Sequence, residues 1–206
     1  METPEVVAFD DDALRARVDG GDLVGAVSDV IRRFGPEILG LLVALHGDED
    51  EAGDAFSDFT ERLWTSLPRF EWRCSVRTWS YVLARRASRD VRRAELRRKR
   101  RLVPLSRAPE VDALAARVRT QTMSMLRTET KDELVRLRDE LPEHDQLLLV
   151  LRVDRHLAWD DLARVFLDDE DPVAVTREAA RLRKRFQLVK ERLVATAKRK
   201  GILLER

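Results

Sequence analysis

Arg85, Arg86, Arg89, Arg92, Arg93, Arg97, Arg98, Lys99, Arg100 and Arg101 crowd ten cations into one stretch, opposed by Asp90 and Glu95. Such density suits a polyanion, because each guanidinium donates in parallel pairs to phosphate or carboxylate oxygens. A solvated, arginine-rich helix end is the plainer alternative. Trp64, Phe70, Trp72, Trp79 and Tyr81 stand just before this run. Flat rings beside phosphate-binding cations suit unpaired, unstacked bases. Most of these rings are expected in the core, and a minority at a ligand. Upstream, Asp48, Glu49, Asp50, Glu51, Asp54, Asp58 and Glu61 follow one another with no basic residue between them. A second cationic group, Arg177, Arg181, Arg183, Lys184, Arg185 and Lys190 with Gln187, lies near the C-terminus.

Chemistry of the bond-breaking kind finds little support. There is no phosphate-cradling glycine loop, no HExxH, and no nucleophile with a convergent base. The single cysteine, Cys74, excludes an intrachain disulfide and a cysteine-based zinc site, and His46, His144 and His156 lack metal-ligand spacing. No metal or cofactor is expected, and the chain is expected not to be an enzyme.

The elements that must position these groups read as helices throughout. Charged residues make up 37% of the 206, aromatics 6%, and glycine and proline are few. Residues 1–19 read as a flexible acidic tail. Leu23, Val27, Val30, Ile31 and Phe34 form one apolar stripe, and Ile38, Leu39, Leu42, Val43 and Leu45 a second after Gly35-Pro36. Phe56, Phe59, Leu63 and Trp64 face inward on a third helix, which ends near Pro68. A loop over Phe70 to Ser75 leads to a helix with Val76, Trp79, Val82, Leu83, Ala87, Val91 and Ala94 inward and its arginines outward. Residues 20–101 thus form one all-helical unit. Pro104 and Pro109 mark a boundary, and 102–130 is a linker in which Val111 to Thr130 reads either as a helix or as a tether.

A second helical unit, 131–206, begins with Leu134, Leu137 and Leu141, and continues through Leu147, Leu148, Val150 and Leu151. A short helix from Ala158 to Phe166 is followed by a basic amphipathic helix from about Ala174, the layout of a helix-turn-helix. The acidic N-terminus is unlike a signal peptide, and no apolar run approaches the roughly 20 residues of a membrane span. Both point to a cytoplasmic protein without membrane insertion.

With these segments located, the chain resembles the sigma-70 family of bacterial RNA polymerase sigma factors, in the two-domain extracytoplasmic-function group. Ala52, Asp54, Asp58, Arg62, Leu63 and Trp64 stand as in the family's region 2.2 helix. Arg77-Thr78-Trp79, Tyr81, Ala84-Arg85 and Asp90 match the core that follows it. Leu141-Pro142, Leu151-Arg152 and Leu157 to Ala163 resemble region 4.2. Ser57 replaces the family's usual glutamine, Arg86 replaces a common asparagine, and the turn Leu167 to Thr176 is longer than the family's.

The resemblance implies core RNA polymerase and promoter DNA as partners, admits an anti-sigma factor, and places the polymerase-bound protein at the nucleoid. It assigns Asp54, Ser57, Asp58 and Glu61 to polymerase binding. Phe70, Trp72, Arg77, Arg85, Arg86, Arg89, Arg92 and Arg93 would meet the −10 element, with Trp72 stacking on a flipped base. Arg177, Arg181, Arg183, Lys184, Arg185 and Gln187 would meet the −35 element. The alternatives are a sigma-like helix-turn-helix regulator without productive polymerase binding, and a helical adaptor contacting RNA or acidic protein.

Overall fold

The computed structural model describes residues 9–97, 109–128, 137–138, 140–167 and 171–200, all helices and turns with no strand among them. Arg98 to Ala108, Lys131 and Leu134 lie outside the described residues, as does the start of the expected tail.

The first unit is built around α2, Leu23–His46. Ala26, Val27, Val30, Ile31, Phe34, Ile38, Leu39, Leu41 and Leu42 are all buried, more than one stripe can hold, because neighbours cover α2 on several sides. The two stripes read on either side of Gly35-Pro36 belong to this one continuous helix, with Pro36 in its interior. Gly35 has a packing reason: a Cβ there would stand 2.9 Å from Val118 Cγ1, so only glycine lets the neighbouring helix so close. Gly47 ends α2 in the left-handed conformation, φ 70°, and donates its N–H to the Val43 carbonyl. Asp48 then caps α3, Glu49–Ser66, by accepting from the N–H groups of Asp50 and Glu51.

Within the expected N-terminal tail, Asp11–Asp19 form helix α1, which buries Leu14. Phe9 packs edge-on against Phe34, with centroids 5.0 Å apart. Asp11 accepts the N–H of Val76 at 3.0 Å, supplying an acceptor to the first turn of α4, Val76–Arg97. Within the expected linker, Pro109–Thr128 form α5; of the two readings left open there, the helix is the observed one. Val111, Leu114 and Val118 are buried in the main core, where α5 packs against α2 and α3.

In the second unit, α6, Glu143–Leu149, runs into a π turn over Val150–Asp154. His156, at φ 55°, turns the chain into α7, Trp159–Phe166. The basic helix α8, Pro172–Arg199, begins earlier than its apolar period suggests. Pro172 sits in the first turn, and Asp171 caps it by accepting from the Ala174 N–H at 2.9 Å. The turn before it therefore closes at Asp171, not at Thr176.

The two units share one core. Leu148, Leu151, Leu162, Ala163, Val165 and Phe166 belong to the same apolar cluster as α2, α3 and α4, with α7 packed on α4. Leu141, Leu149 and Val189 form a smaller cluster, which Leu193 joins.

Candidate nucleic-acid interface

The acidic stripe follows from spacing. Asp54, Ser57, Asp58 and Glu61 stand at intervals of three and four on α3 and so share a face. Asp54, Ser57 and Glu61 are exposed. Ser57 donates its hydroxyl to the Gly53 carbonyl at 3.0 Å. Asp58 is half-buried and accepts from Arg62 Nε at 2.8 Å, while Arg62 Nη2 donates to Asp90 of α4 at 2.8 Å. Burial alone would lower the Arg62 pKa, but hydrogen bonds and charge from Asp58 and Asp90 raise it above its ordinary value. Asp58 thus also fixes α3 to α4, leaving Asp54 and Glu61 as the freer carboxylates.

A hydrogen-bonded chain of Ser88, His46 and the half-buried Glu51 joins α4, α2 and α3. His46 Nε2 lies 2.9 Å from Ser88 Oγ, and Nδ1 3.0 Å from Glu51 Oε2. Nucleophile, base and orienting carboxylate are in order, yet Ser88 is 1% exposed and His46 is enclosed, so no substrate can approach. The chain holds helices together. Among the described residues no three His, Cys, Asp or Glu side chains gather to hold a metal.

The loop Phe70 to Ser75 is organised by stacking. Phe70 lies on Trp79, centroids 4.4 Å apart, and against Trp72 at 4.8 Å. Trp72 adopts φ 57°, a left-handed conformation uncommon for a bulky residue, and Arg15 of α1 reaches over its ring at 5.9 Å. Trp79 is core, whereas Trp72 is only partly buried. The loop therefore holds one ring at a partly open edge on a rigid aromatic base.

Beyond it α4 presents its arginines, but several already have partners. Arg77 forms a two-pronged ion pair with Glu37 of α2 and donates to the Arg155 carbonyl at 3.0 Å. Burial pushes the Glu37 carboxyl up, but the hydrogen bonds and charge of Arg77 outweigh it and hold the group below its ordinary value. Arg85 Nη1 donates to the carbonyls of Val165 and Phe166, both at 2.9 Å. Arg92 pairs with Glu143 of α6 and donates to the Leu45 carbonyl at the end of α2. Arg86 and Arg89 are half-buried; Arg93 is exposed, 3.8 Å from Asp90.

On α8, Arg177, Lys184 and Gln187 are exposed, as is Arg181, which lies 3.4 Å from Glu178. Arg183 lies 5.6 Å from the Trp159 ring, which Arg152 flanks at 4.8 Å and Phe186 meets edge-on. Trp159 is thus packed between α7 and α8. Arg185 turns back instead: Nε and Nη2 donate to the two carboxylate oxygens of Asp145, at 2.6 and 3.1 Å. Those hydrogen bonds, and then the charge of Asp145, raise the Arg185 pKa. Asp145 is 1% exposed.

The structure gathers the −10 candidates on the loop and α4, the polymerase candidates on α3, and the −35 candidates on α8. Sequence reading missed the partners: Glu37, Glu143, Asp145, and the backbone oxygens of Arg155, Val165 and Phe166. A signal existed for Asp145, an acid at the head of the apolar run Leu147 to Leu151, and for Glu37, an acid within a buried stripe.

These features define an all-helical, two-unit protein whose aromatic loop and two basic helices suit DNA. Residues 30–101 match the family model "Sigma-70 region 2". That span covers the end of α2 that carries Glu37, all of α3, the aromatic loop and α4. The chain is also 24% identical over 174 residues to the RNA polymerase sigma factor YlaC of Bacillus subtilis (strain 168), across 81% of this chain and 94% of that protein. Over residues 30–101, then, the chain is similar to region 2 of the sigma-70 family.

Proposed function

We infer that this protein binds core RNA polymerase and directs it to promoters, taking part in strand opening and initiation without bond chemistry of its own. The observation that carries this reading is that the region 2 match falls on the acidic stripe, the aromatic loop and the arginine row together. On this reading Asp54 and Glu61, with Ser57 and Asp58 beside them, dock on a basic surface of the polymerase. Trp72, backed by Phe70, stacks on a base turned out of the −10 element; turning it out costs a few kcal/mol, which a preformed aromatic base helps offset. Arg77, Arg85, Arg86, Arg89, Arg92 and Arg93 hold the strand's phosphates and position it while reading little sequence.

Arg177, Arg181, Lys184 and Gln187 enter the major groove at the −35 element with Arg183 behind them, and an arginine paired to guanine there is worth about 1–3 kcal/mol of discrimination. Arg185 is a positioning residue in this scheme, since its fork is held by Asp145. The protein acts in the cytoplasm and, when polymerase-bound, at the nucleoid. Among the described residues no helix is long and apolar enough to cross a membrane. An anti-sigma factor would have to cover the acidic stripe or the arginine row.

One observation favours a second reading, a regulator binding duplex DNA by itself: Arg177, Arg181 and Lys184 are exposed while arginines of α4 are engaged. Size-exclusion chromatography with core polymerase separates the two. The proposed function predicts a stable complex with the parent chain that Asp54→Lys with Glu61→Lys abolishes, the helical spectrum being kept. Failure of the parent chain to associate, with tight duplex binding on its own, would select the regulator.

A further inference from the structure

A ring at an open edge offers a base one face, and a second face has to come from elsewhere. At Trp72 it comes from α1, Asp11–Asp19, which lies outside the region 2 match at 30–101. The Arg15 guanidinium carbon stands over the Trp72 ring, 5.9 Å from its centre. Bases in a strand stack about 3.4 Å apart. The gap is therefore wider than one stacked layer, and about 1 Å short of the roughly 7 Å that a base between two planes needs. The helix that carries Arg15 is anchored: Leu14 is buried, Asp11 accepts the N–H of Val76 just after the loop at 3.0 Å, and Arg17 pairs with Asp22 and Asp29 at 2.9 and 3.4 Å. Arg15 itself is held less firmly. Its carboxylate neighbour Asp19 is 3.9 Å away, and the two side chains are 57% and 71% exposed. A pair so exposed contributes little, so the guanidinium can lift while α1 stays in place.

We propose that Arg15 is a base-binding residue: its guanidinium and the Trp72 indole are the two walls of a slot for one unpaired nucleobase. The inference rests on the promoter reading above, which supplies the strand. A guanidinium is planar and weakly hydrated, so it stacks on a base as an aromatic ring does and asks no particular hydrogen-bond pattern of it. The other wall is kept still by Phe70, 4.8 Å from Trp72 and stacked on the core residue Trp79. Trp72 holds φ 57° there, and backbone strain of this kind persists at ligand clamps where the surroundings over-determine it. Filling the slot moves one exposed side chain and no helix.

The test uses the full chain, alone and with core RNA polymerase, and two fluorescein-labelled single strands of equal length, one of mixed sequence and one abasic throughout. Arg15→Ala should weaken binding to the mixed-sequence strand about fivefold or more, the effect of losing one stacked face. On the abasic strand, which keeps the phosphates, it should weaken binding no more than about twofold, the effect of one exposed charge. Arg15→Lys keeps the charge without the plane and should recover only a minor part of the loss. The control, Arg32→Ala, removes an arginine of α2 that is 65% exposed and 3.0 Å from Asp29, and should act no more than about twofold on either strand. With Trp72→Ala already in place, Arg15→Ala should add no more than about the same twofold, because the slot has lost its other wall.

Equal losses on the two strands with Arg15→Ala would overturn the proposal, since the residue would then meet only phosphate. Full recovery by Arg15→Lys would overturn it as well, as would a parent chain that binds the mixed-sequence strand neither alone nor with polymerase. Polymerase association, measured on the same proteins, keeps the two claims apart. A base-dependent Arg15 effect in a chain that does not bind polymerase would uphold the slot and defeat the promoter reading. A chain that binds polymerase and shows no such effect would do the reverse.

Discussion

Two basic helices in this chain stand in opposite situations. On α4, Arg77, Arg85 and Arg92 all reach partners in the second unit. On α8, Arg177, Arg181 and Lys184 face solvent, and Arg185 turns back to a buried carboxylate within its own unit. Charge density is alike in both. What differs is enclosure: α4 packs against α2, α3 and α7, whereas α8 rests chiefly on α7 and α6. An arginine on an enclosed helix is drawn into satisfying the carbonyls and carboxylates that packing has brought near it. One on a peripheral helix keeps its hydration and stays available to an incoming phosphate.

The contrast can be broken most forcefully through the two tryptophans. Trp79→Ala should cost about 3–5 kcal/mol in urea unfolding, the loss typical of a buried aromatic stacked in a core. Trp159→Ala, at a half-buried site between α7 and α8, should cost less than half as much. Equal losses would mean that α8 is as enclosed as α4.

Next in size is Arg185→Ala, which leaves Asp145 as a buried charge without its principal partner. It should destabilise by about 2–3 kcal/mol. Arg181→Ala on the open face should stay within about 0.5 kcal/mol. Pairing Arg185→Ala with Asp145→Ala should recover part of the loss, the signature of coupling rather than of two separate sites.

Acid sharpens the same comparison at Glu37. Its carboxyl is held below its ordinary value, so its contribution is complete above the unfolded group's pKa near 4.5 and is lost as pH falls through the lower folded value. Urea midpoints should therefore drop between pH 6 and pH 3 in the parent chain. Glu37→Gln should flatten that part of the profile. The smallest effect belongs to the surface of α8. If Lys184 meets only a phosphate, Lys184→Ala should weaken duplex binding alike on all sequences and reduce the salt slope by about one.

The all-helical fold and the main site surfaces were legible in the sequence because apolar spacing and charge segregation are local signals. The aromatic loop, the acidic stripe of α3 and the basic face of α8 stand where residue spacing places them, whereas Arg77, Arg85 and Arg92 of α4, expected to face outward, turn to partners within the chain. What spacing could not supply was long-range. Gly35-Pro36 looked like a break, yet α2 continues through it, and the missing Cβ at Gly35 serves the close approach of α5 instead. Asp11–Asp19 looked like a tail, yet Leu14 and the bond from the Val76 N–H to Asp11 draw it onto the core. Asp58 and Arg185 looked like outward contacts, and each is tied within the chain by a partner 4 or 40 residues away. Charge shows where ions are and not which of them fold together.

The most direct measurement of the central claim is promoter opening. Core bacterial RNA polymerase would be incubated with promoter fragments selected from genomic DNA, with and without this chain, and unpaired thymines probed with permanganate. The account predicts reactive thymines only when chain and polymerase are both present, and their loss with Asp54→Lys plus Glu61→Lys. Reactivity that never appears, together with duplex binding by the chain alone, would contradict it.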